Sequence, residues 1–249
     1  MSFLIEVKNT LILIPHIPKT GGYSFRNYLR RSFKSNQQQA GSNRSHFCGP
    51  DDDRCLRVNI DINGHIPLIH CQGTMQRVYG DSLKKKRKIL VNVVRNPYSW
   101  MKSWFFYTPK LINTRDFKLE KTKMFESLQG NFPEYLRLVS KHRDEALFEN
   151  RGRPTKRYQQ MVDWCKESFP FDEKHFIETA DLPTKLPAIL DEFATRETDG
   201  KVVHENSSAS NSMTNEKMYN DETRSIVEEM FKDDIDFFGF KWEDYKDSK

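Results

Sequence analysis

The sequence predicts a single α/β domain, residues 1–249, with a mainly parallel central sheet flanked by helices. Three observations carry this. Short apolar runs recur along the chain and alternate with amphipathic helical patterns. The first apolar run feeds a turn with two adjacent glycines, and a helical pattern leaves it. Hydrophobic residues make up 37%, with 18 Phe, and charged residues 30%, enough to fill one core and solvate its surface.

Asn9 to Ile17 reads as the first strand, a near-continuous apolar run suited to burial on both faces. After the glycine turn, a helix from Ser24 to about Lys34 sets Phe25, Tyr28, Leu29 and Phe33 on one side and Arg26, Arg30, Arg31 and Lys34 on the other. Ser35 to Asn63 is polar and reads as a long excursion with little regular structure. His65 to Cys71 reads as a short second strand. The basic run Lys84 to Lys88 reads as the solvated entrance to a third strand, Ile89 to Val94.

Pro97 suits the first turn of a helix from Tyr98 to about Tyr107, dense in aromatics, with Thr108 to Gln129 irregular beyond it. Asn131, with Glu134 three residues on, marks a helix start before the stripe Phe132, Leu136, Val139. Pro154 to Phe169 reads as a further amphipathic helix burying Tyr158, Met161 or Val162, Cys165 and Phe169. His175 to Thr179 reads as the fourth strand, and Leu186 to Phe193 as a helix. A polar loop, Arg196 to Asn220, precedes a closing helix from Asp221 to Asp233.

Strand, glycine turn, basic residue, helix: that order makes an anion cradle. Glycines let backbone approach a ligand, and a helix start offers amides and the positive end of its dipole. In a parallel sheet, ligands lie at the carboxyl ends of strands, which predicts Lys19, His70 and Arg95 around one crevice. The cradle is not a Walker loop, whose lysine follows the last glycine; here Lys19 precedes Gly21 and Gly22, and no strand ends in an aspartate for magnesium. A P-loop-like nucleotide kinase is therefore the second enzymatic reading. The net charge of +5, from 40 basic and 35 acidic residues, suits an anionic ligand and is too small to argue for nucleic acid. A non-catalytic nucleotide- or RNA-binding module would have to use the basic faces near Arg30, Arg31 and Lys84 to Lys88.

The spacing of Cys48 and Cys55 matches no zinc pattern and no His pair completes one; the two read as a loop disulfide in an oxidising compartment and as thiols in a cytosol. No apolar run reaches membrane-spanning length, and Met1 to Thr10 has no signal-peptide core. The expectation is a cytoplasmic protein, or a Golgi-lumenal one if the sequence is a piece of a longer chain.

Arg95-Asn96-Pro97-Tyr98-Ser99-Trp100-Met101-Lys102-Ser103 adds an arginine at a strand end and a serine eight residues later on a helix, a fork and a hydroxyl able to hold a second phosphate. Together with Pro18-Lys19-Thr20-Gly21-Gly22, this stretch resembles the sulfotransferase superfamily, most closely its Golgi carbohydrate branch, from about Leu11 to Phe240. Asp181-Leu182 and Phe237-Phe238-Gly239-Phe240 add low-specificity likeness. The resemblance implies a P-loop-like sulfotransferase fold that moves the sulfuryl group of 3′-phosphoadenosine 5′-phosphosulfate (PAPS) to a hydroxyl or amine of a small molecule or carbohydrate, leaving 3′,5′-adenosine bisphosphate (PAP), without a metal. It implies Lys19 at the leaving-phosphate oxygens, Thr20, Gly21, Gly22, Tyr23 and Ser24 around the 5′-phosphate, and Arg95 and Ser103 at the 3′-phosphate. It also implies His70 as general base, with His65 on the opposite strand face as its rival, and a late loop containing Asn206 and Ser207 over the nucleotide. The chain departs from the family pattern at Tyr23, where Thr or Ser is usual, and at Trp100, where a basic residue is common and Lys102 could substitute.

Overall fold

A computed structural model of the chain describes residues 2–21, 24, 25, 28, 45–47, 56–62, 67–112, 130–145, 148–150, 153–155, 158–192 and 214–247. The chain forms two compact units, residues 1–94 with 164–206 and residues 95–163 with 207–249.

The first unit is built on a six-stranded sheet. Its strands are β1 (Ser2–Val7), β2 (Thr10–Ile14), β3 (Ser45–Phe47), β4 (Leu56–Ile62), β5 (Arg87–Val94) and β8 (Glu173–Glu178), in the order β3-β4-β1-β2-β5-β8. The fold class is α/β, as predicted. From β1 to β8 the sheet is mostly parallel: β2 and β8 both run parallel to β5, and β1 is antiparallel to β2. Beyond β1 it continues with antiparallel β4 and β3.

Three expectations are corrected here. The first apolar run is the second strand, because Ser2–Val7 already pairs with it through the two-residue turn Lys8-Asn9, Val7 facing Thr10. The stretch Ser35 to Asn63 contains β3 and β4; in β4, Leu56, Val58, Ile60 and Ile62 alternate at the strand period and take the free edge of β1. His65 to Cys71 is not a strand: Leu68–Tyr79 is helix α1, with Leu68, Cys71, Gln72 and Met75 buried. That spacing is helical, and Pro67 stands at its start.

Helical residues cover both faces of the sheet. On one face Phe3, Ile5, Ile12, Ile14, Ile89, Val91 and Val93 pack with Phe25, Tyr28 and the buried side of α5 (Leu182–Asp191). On the other, Leu4, Leu11, Leu13 and Leu90 pack with Leu68, Cys71 and Met75 of α1. Four of the five residues of the basic run form ion pairs: Lys84 with Asp81, Lys86 with Glu6, Arg87 with Glu173 and Lys88 with Asp172. It is the solvated strand entrance, and its pairing weakens the RNA reading.

The second unit is helical. Its elements are α2 (Pro97–Ile112), α3 (Phe132–His142), the short hairpin β6 (Phe148–Asn150) and β7 (Arg153–Thr155), the start of α4 (Met161–Trp164), α6 (Asn215–Met218), α7 (Asp221–Met230), α8 (Lys232–Phe238) and α9 (Trp242–Tyr245). Asn131 caps α3, accepting the Glu134 amide at 3.2 Å, and Phe132, Leu136 and Val139 are buried as the stripe predicts. Asn220 and Thr223 cap α7 reciprocally. The expected closing helix divides at buried Phe231, and Gly239, at φ 71°, ends α8.

The helix expected over Pro154 to Phe169 is reduced to one turn. Within the second unit, the Asp234 carboxylate accepts the amides of Met161 and Val162, each at 2.8 Å. Within the first, the Gln72 side chain accepts the Ser168 amide at 2.5 Å and donates to the Phe169 carbonyl at 2.6 Å. Tertiary partners take the backbone groups that a longer helix would have used.

Candidate functional site

The glycine turn follows β2 in the first unit. Thr20 is buried, and its hydroxyl donates to the Ile17 carbonyl at 2.8 Å, tying the turn closed. Lys19 and Gly21 both lie in the left-handed region, at φ 65° and 86°. Left-handed residues in such a turn converge backbone amides into an anion-binding concavity. A left-handed lysine costs about 1–2 kcal/mol against an ordinary conformation, so the surrounding structure must hold it there.

Gly21 is required twice over. Its φ disfavours any side chain, and a Cβ would stand 3.2 Å from Leu182 Cδ2 and 3.7 Å from Thr179 Cγ2. The Thr179 hydroxyl in turn donates to the Val94 carbonyl at 2.9 Å, so the residues behind the glycine are themselves tied to β5. The Gly21 carbonyl accepts the Phe25 amide at 3.0 Å, and this bond opens the helix. Phe25 anchors it, meeting Phe3 edge-on at 4.8 Å. Ser24 is buried in its first turn, Lys19 is half-buried, and Gly22 and Tyr23 lie outside the described residues. Ile14, His16, Thr20 and Phe25 line a small cavity beneath the turn.

His70 belongs to the same unit but not to a strand end. It is exposed on the first turn of α1, its amide donating to the Pro67 carbonyl at 3.0 Å and its carbonyl accepting the Thr74 hydroxyl at 3.2 Å. The strand-end placement that singled it out is corrected. His65 lies outside the described residues, as do Asn206 and Ser207.

The second group opens the second unit. Arg95 is the residue after β5 and is half-buried. Asn96 caps α2: its side-chain oxygen accepts the Ser99 amide at 2.8 Å and its carbonyl the Trp100 amide at 2.9 Å. Pro97 occupies the first turn, as predicted. Ser99, Lys102 and Ser103 are buried, and the Ser99 hydroxyl accepts from the Asn215 amide at 3.1 Å. The Arg95 amide approaches the Met161 thioether at 3.4 Å. Trp100 is fully buried against Trp104 and Phe231.

Lys102 is the member that sequence reasoning undervalued. Burial first, and the Arg95 guanidinium second, push its ammonium down to about 8. The spacing of Ser99, Lys102 and Ser103 was visible, but nothing local announces that this face is buried. Of the aromatic run on α2, Trp104 is core, stacked edge-on with Tyr158, while Phe105, Phe106 and Tyr107 are half-buried.

Cys71 is buried and its thiol is pushed up to about 11 by that burial; Cys165 is half-buried, 2.7 Å from the Asn92 side-chain nitrogen. Cys48 and Cys55 lie outside the described residues. Among the described residues, no cluster of three His, Cys, Asp or Glu side chains is arranged to hold a metal, and no helix is long and apolar enough to cross a membrane.

Two cation-bearing groups are thus in place, Lys19 on a left-handed glycine turn and Arg95 with Lys102 at the start of α2. Each has the chemistry to hold a phosphate or sulfate. Comparison with family models, curated proteins and solved structures finds no match to this chain.

Proposed function

We propose that the chain is a sulfotransferase with a P-loop-like fold, moving the sulfuryl group of PAPS to a hydroxyl or amine of a small molecule or carbohydrate. The observation that carries this reading is the turn between β2 and a helix in which Lys19 and Gly21 are left-handed. Arg95, Lys102 and Ser103 at the head of α2 support it, as a second basic group suited to a ligand with two separate phosphates.

The bound nucleotide supplies the sulfuryl group. Lys19 would neutralise charge growing on the phosphate oxygens that are left behind, and the backbone of the turn would fix that phosphate. Thr20 holds the turn closed through Ile17 rather than reaching outward by its proton. The Arg95 fork and Ser103 would take the 3′-phosphate, and position with electrostatics would supply the rate. His70 as general base rests on the family resemblance, and its exposed place on α1 makes it the first role to test.

Thermal denaturation with PAP in magnesium-free buffer tests the reading. PAP should raise the melting temperature, and Arg95→Ala should abolish the rise. A rise with ATP and magnesium alone would overturn the proposal in favour of a kinase. In turnover with labelled PAPS, His70→Ala should be inactive while still binding PAP; an active variant removes His70 from the mechanism.

A further inference from the structure

In the buried part of β5, Ile89 to Val94, Asn92 is the polar residue. Ile89, Val91 and Val93 take one face of the sheet, so Asn92 falls on the other, with Leu90. It is 0% exposed. Its backbone lies within the ladder to β8, opposite Phe176. Its side-chain nitrogen donates to Cys165 Sγ at 2.7 Å, while its side-chain oxygen has no hydrogen-bond partner among the described residues. A buried acceptor left unbonded is costly and calls for a reason.

Asn92 and Cys165 belong to the same compact unit, and the chain beyond Cys165 is held in place within it. Fully buried Gln72 of α1 accepts the Ser168 amide at 2.5 Å and the Ser168 hydroxyl at 3.0 Å, and donates to the Phe169 carbonyl at 2.6 Å. Glu167 pairs with Lys174 of β8 at 2.8 Å. Cys165 itself is half-buried rather than enclosed, within reach of a small solute. Cys71 is its opposite: fully buried, with a thiol pushed up to about 11 by that burial, and so chemically quiet.

We propose that Cys165 is a site of reversible oxidation by hydroperoxides, with Asn92 holding both the thiolate and the sulfenic acid that it becomes. A donor N–H aimed at sulfur favours the thiolate, which is the attacking form. The Cys165 sulfur takes one oxygen of hydrogen peroxide: the S–O bond forms, the O–O bond breaks, and sulfur is oxidised to the sulfenic level. The peroxide is reduced and leaves as hydroxide, which a solvent proton turns into water. The new S–O–H group donates its proton to the Asn92 side-chain oxygen, the acceptor left unbonded beforehand. A low-molecular-weight thiol reverses the step, releasing water as it forms a mixed disulfide, and a second one frees Cys165 as the small-molecule disulfide departs. The site stands apart from the glycine turn and does not depend on PAPS.

The test treats the reduced whole chain with hydrogen peroxide in the presence of dimedone, a trap for sulfenic acids, and maps the adducts by peptide mass spectrometry. The Cys165 peptide should gain the adduct at least about tenfold faster than the Cys71 peptide. Asn92→Leu, close in volume and without the amide, should form it about threefold more slowly. The missing donor lowers the thiolate fraction about tenfold, and a more nucleophilic sulfur offsets part of that loss. A merely structural Asn92 predicts the reverse, since loosening the contact would expose Cys165 and speed its labelling. Where Asn92→Leu does not fold, the parent decides alone: Cys165 should be trapped faster in the folded chain than in urea, where it is an ordinary exposed thiol. A dithiol added before the trap should return the Cys165 peptide to its thiol mass. The inference is overturned by a Cys165 that reacts no faster than Cys71 or than its own urea-unfolded form. An Asn92→Leu variant labelled at or above the parent's rate overturns it too, as does a Cys165 peptide that the dithiol leaves at the sulfinic mass.

Discussion

The Asp234 carboxylate accepts the Met161 amide at 2.8 Å, joining α8 to the first turn of α4. The Met161 thioether in turn meets the Arg95 amide at 3.4 Å, so this buried acid stands two steps behind the residue that opens α2. Burial raises the carboxyl from 3.8 to about 7, against the opposing effect of the two backbone bonds, with Asp163 and Asp233 adding to the rise. Between those values the folded chain keeps a proton that the unfolded chain has released. Asp234 therefore contributes stability in acid that is lost as pH rises toward 7.

Asp234→Asn should flatten that slope. Urea midpoints of parent and variant at about pH 5 and about pH 8 give the comparison, and the difference between them isolates this group from other carboxylates. Asp172, held low chiefly by the Lys88 amide, acts in the opposite sense, but its contribution is lost only as pH falls below its ordinary value of 3.8, outside this window. A variant whose pH dependence matches the parent's would remove Asp234 as the source.

Gly21→Ala should cost about 1–3 kcal/mol, from the left-handed backbone together with the approach to Leu182. Chemical denaturation reads the loss directly. An unchanged midpoint would mean that the turn is not left-handed at Gly21, and the anion cradle would go with it.

Lys8 is the other left-handed lysine, at φ 51°, in the two-residue turn between β1 and β2. Only the first of the two turn residues has a positive φ, a pattern that favours glycine at that place. Lys8→Gly should stabilise the chain by a few tenths to about 1 kcal/mol, the relief of strain exceeding the added freedom of the unfolded chain. A lower midpoint than the parent's would contradict the turn assignment.

What was legible in the sequence depended on how local its cause was. The glycine turn, the Asn96-Pro97 helix start and the Asn131 cap announce themselves, because one or two residues determine the backbone there. α1 is hidden in the sequence because the apolar run His65 to Cys71 stops before Met75, and a helical spacing needs two turns to show. β4 has the alternation of a strand, but it lies in a polar stretch and is stabilised by the edge of β1, a partner the sequence does not point to. Lys102 shows the limit most clearly. Its helix is legible, while the helices that pack on α2 lie from about thirty to more than a hundred positions away.

The β1–β2 hairpin has a consequence for the order of assembly. Its ladder closes across two residues, whereas β2 meets β5 only after the chain has passed through α1, and β5 meets β8 only after a longer excursion still. Loop-closure entropy therefore favours the hairpin as the first piece of sheet, with the parallel pairings following as the slower step. In pulse-labelled hydrogen exchange during refolding, the amides of Ile5 and Ile12 should be protected before those of Val91 and Ile177. The strand that leads into Lys19 would then be ordered early, and the turn would gain its backing from Thr179 and Leu182 only when β8 and α5 arrive.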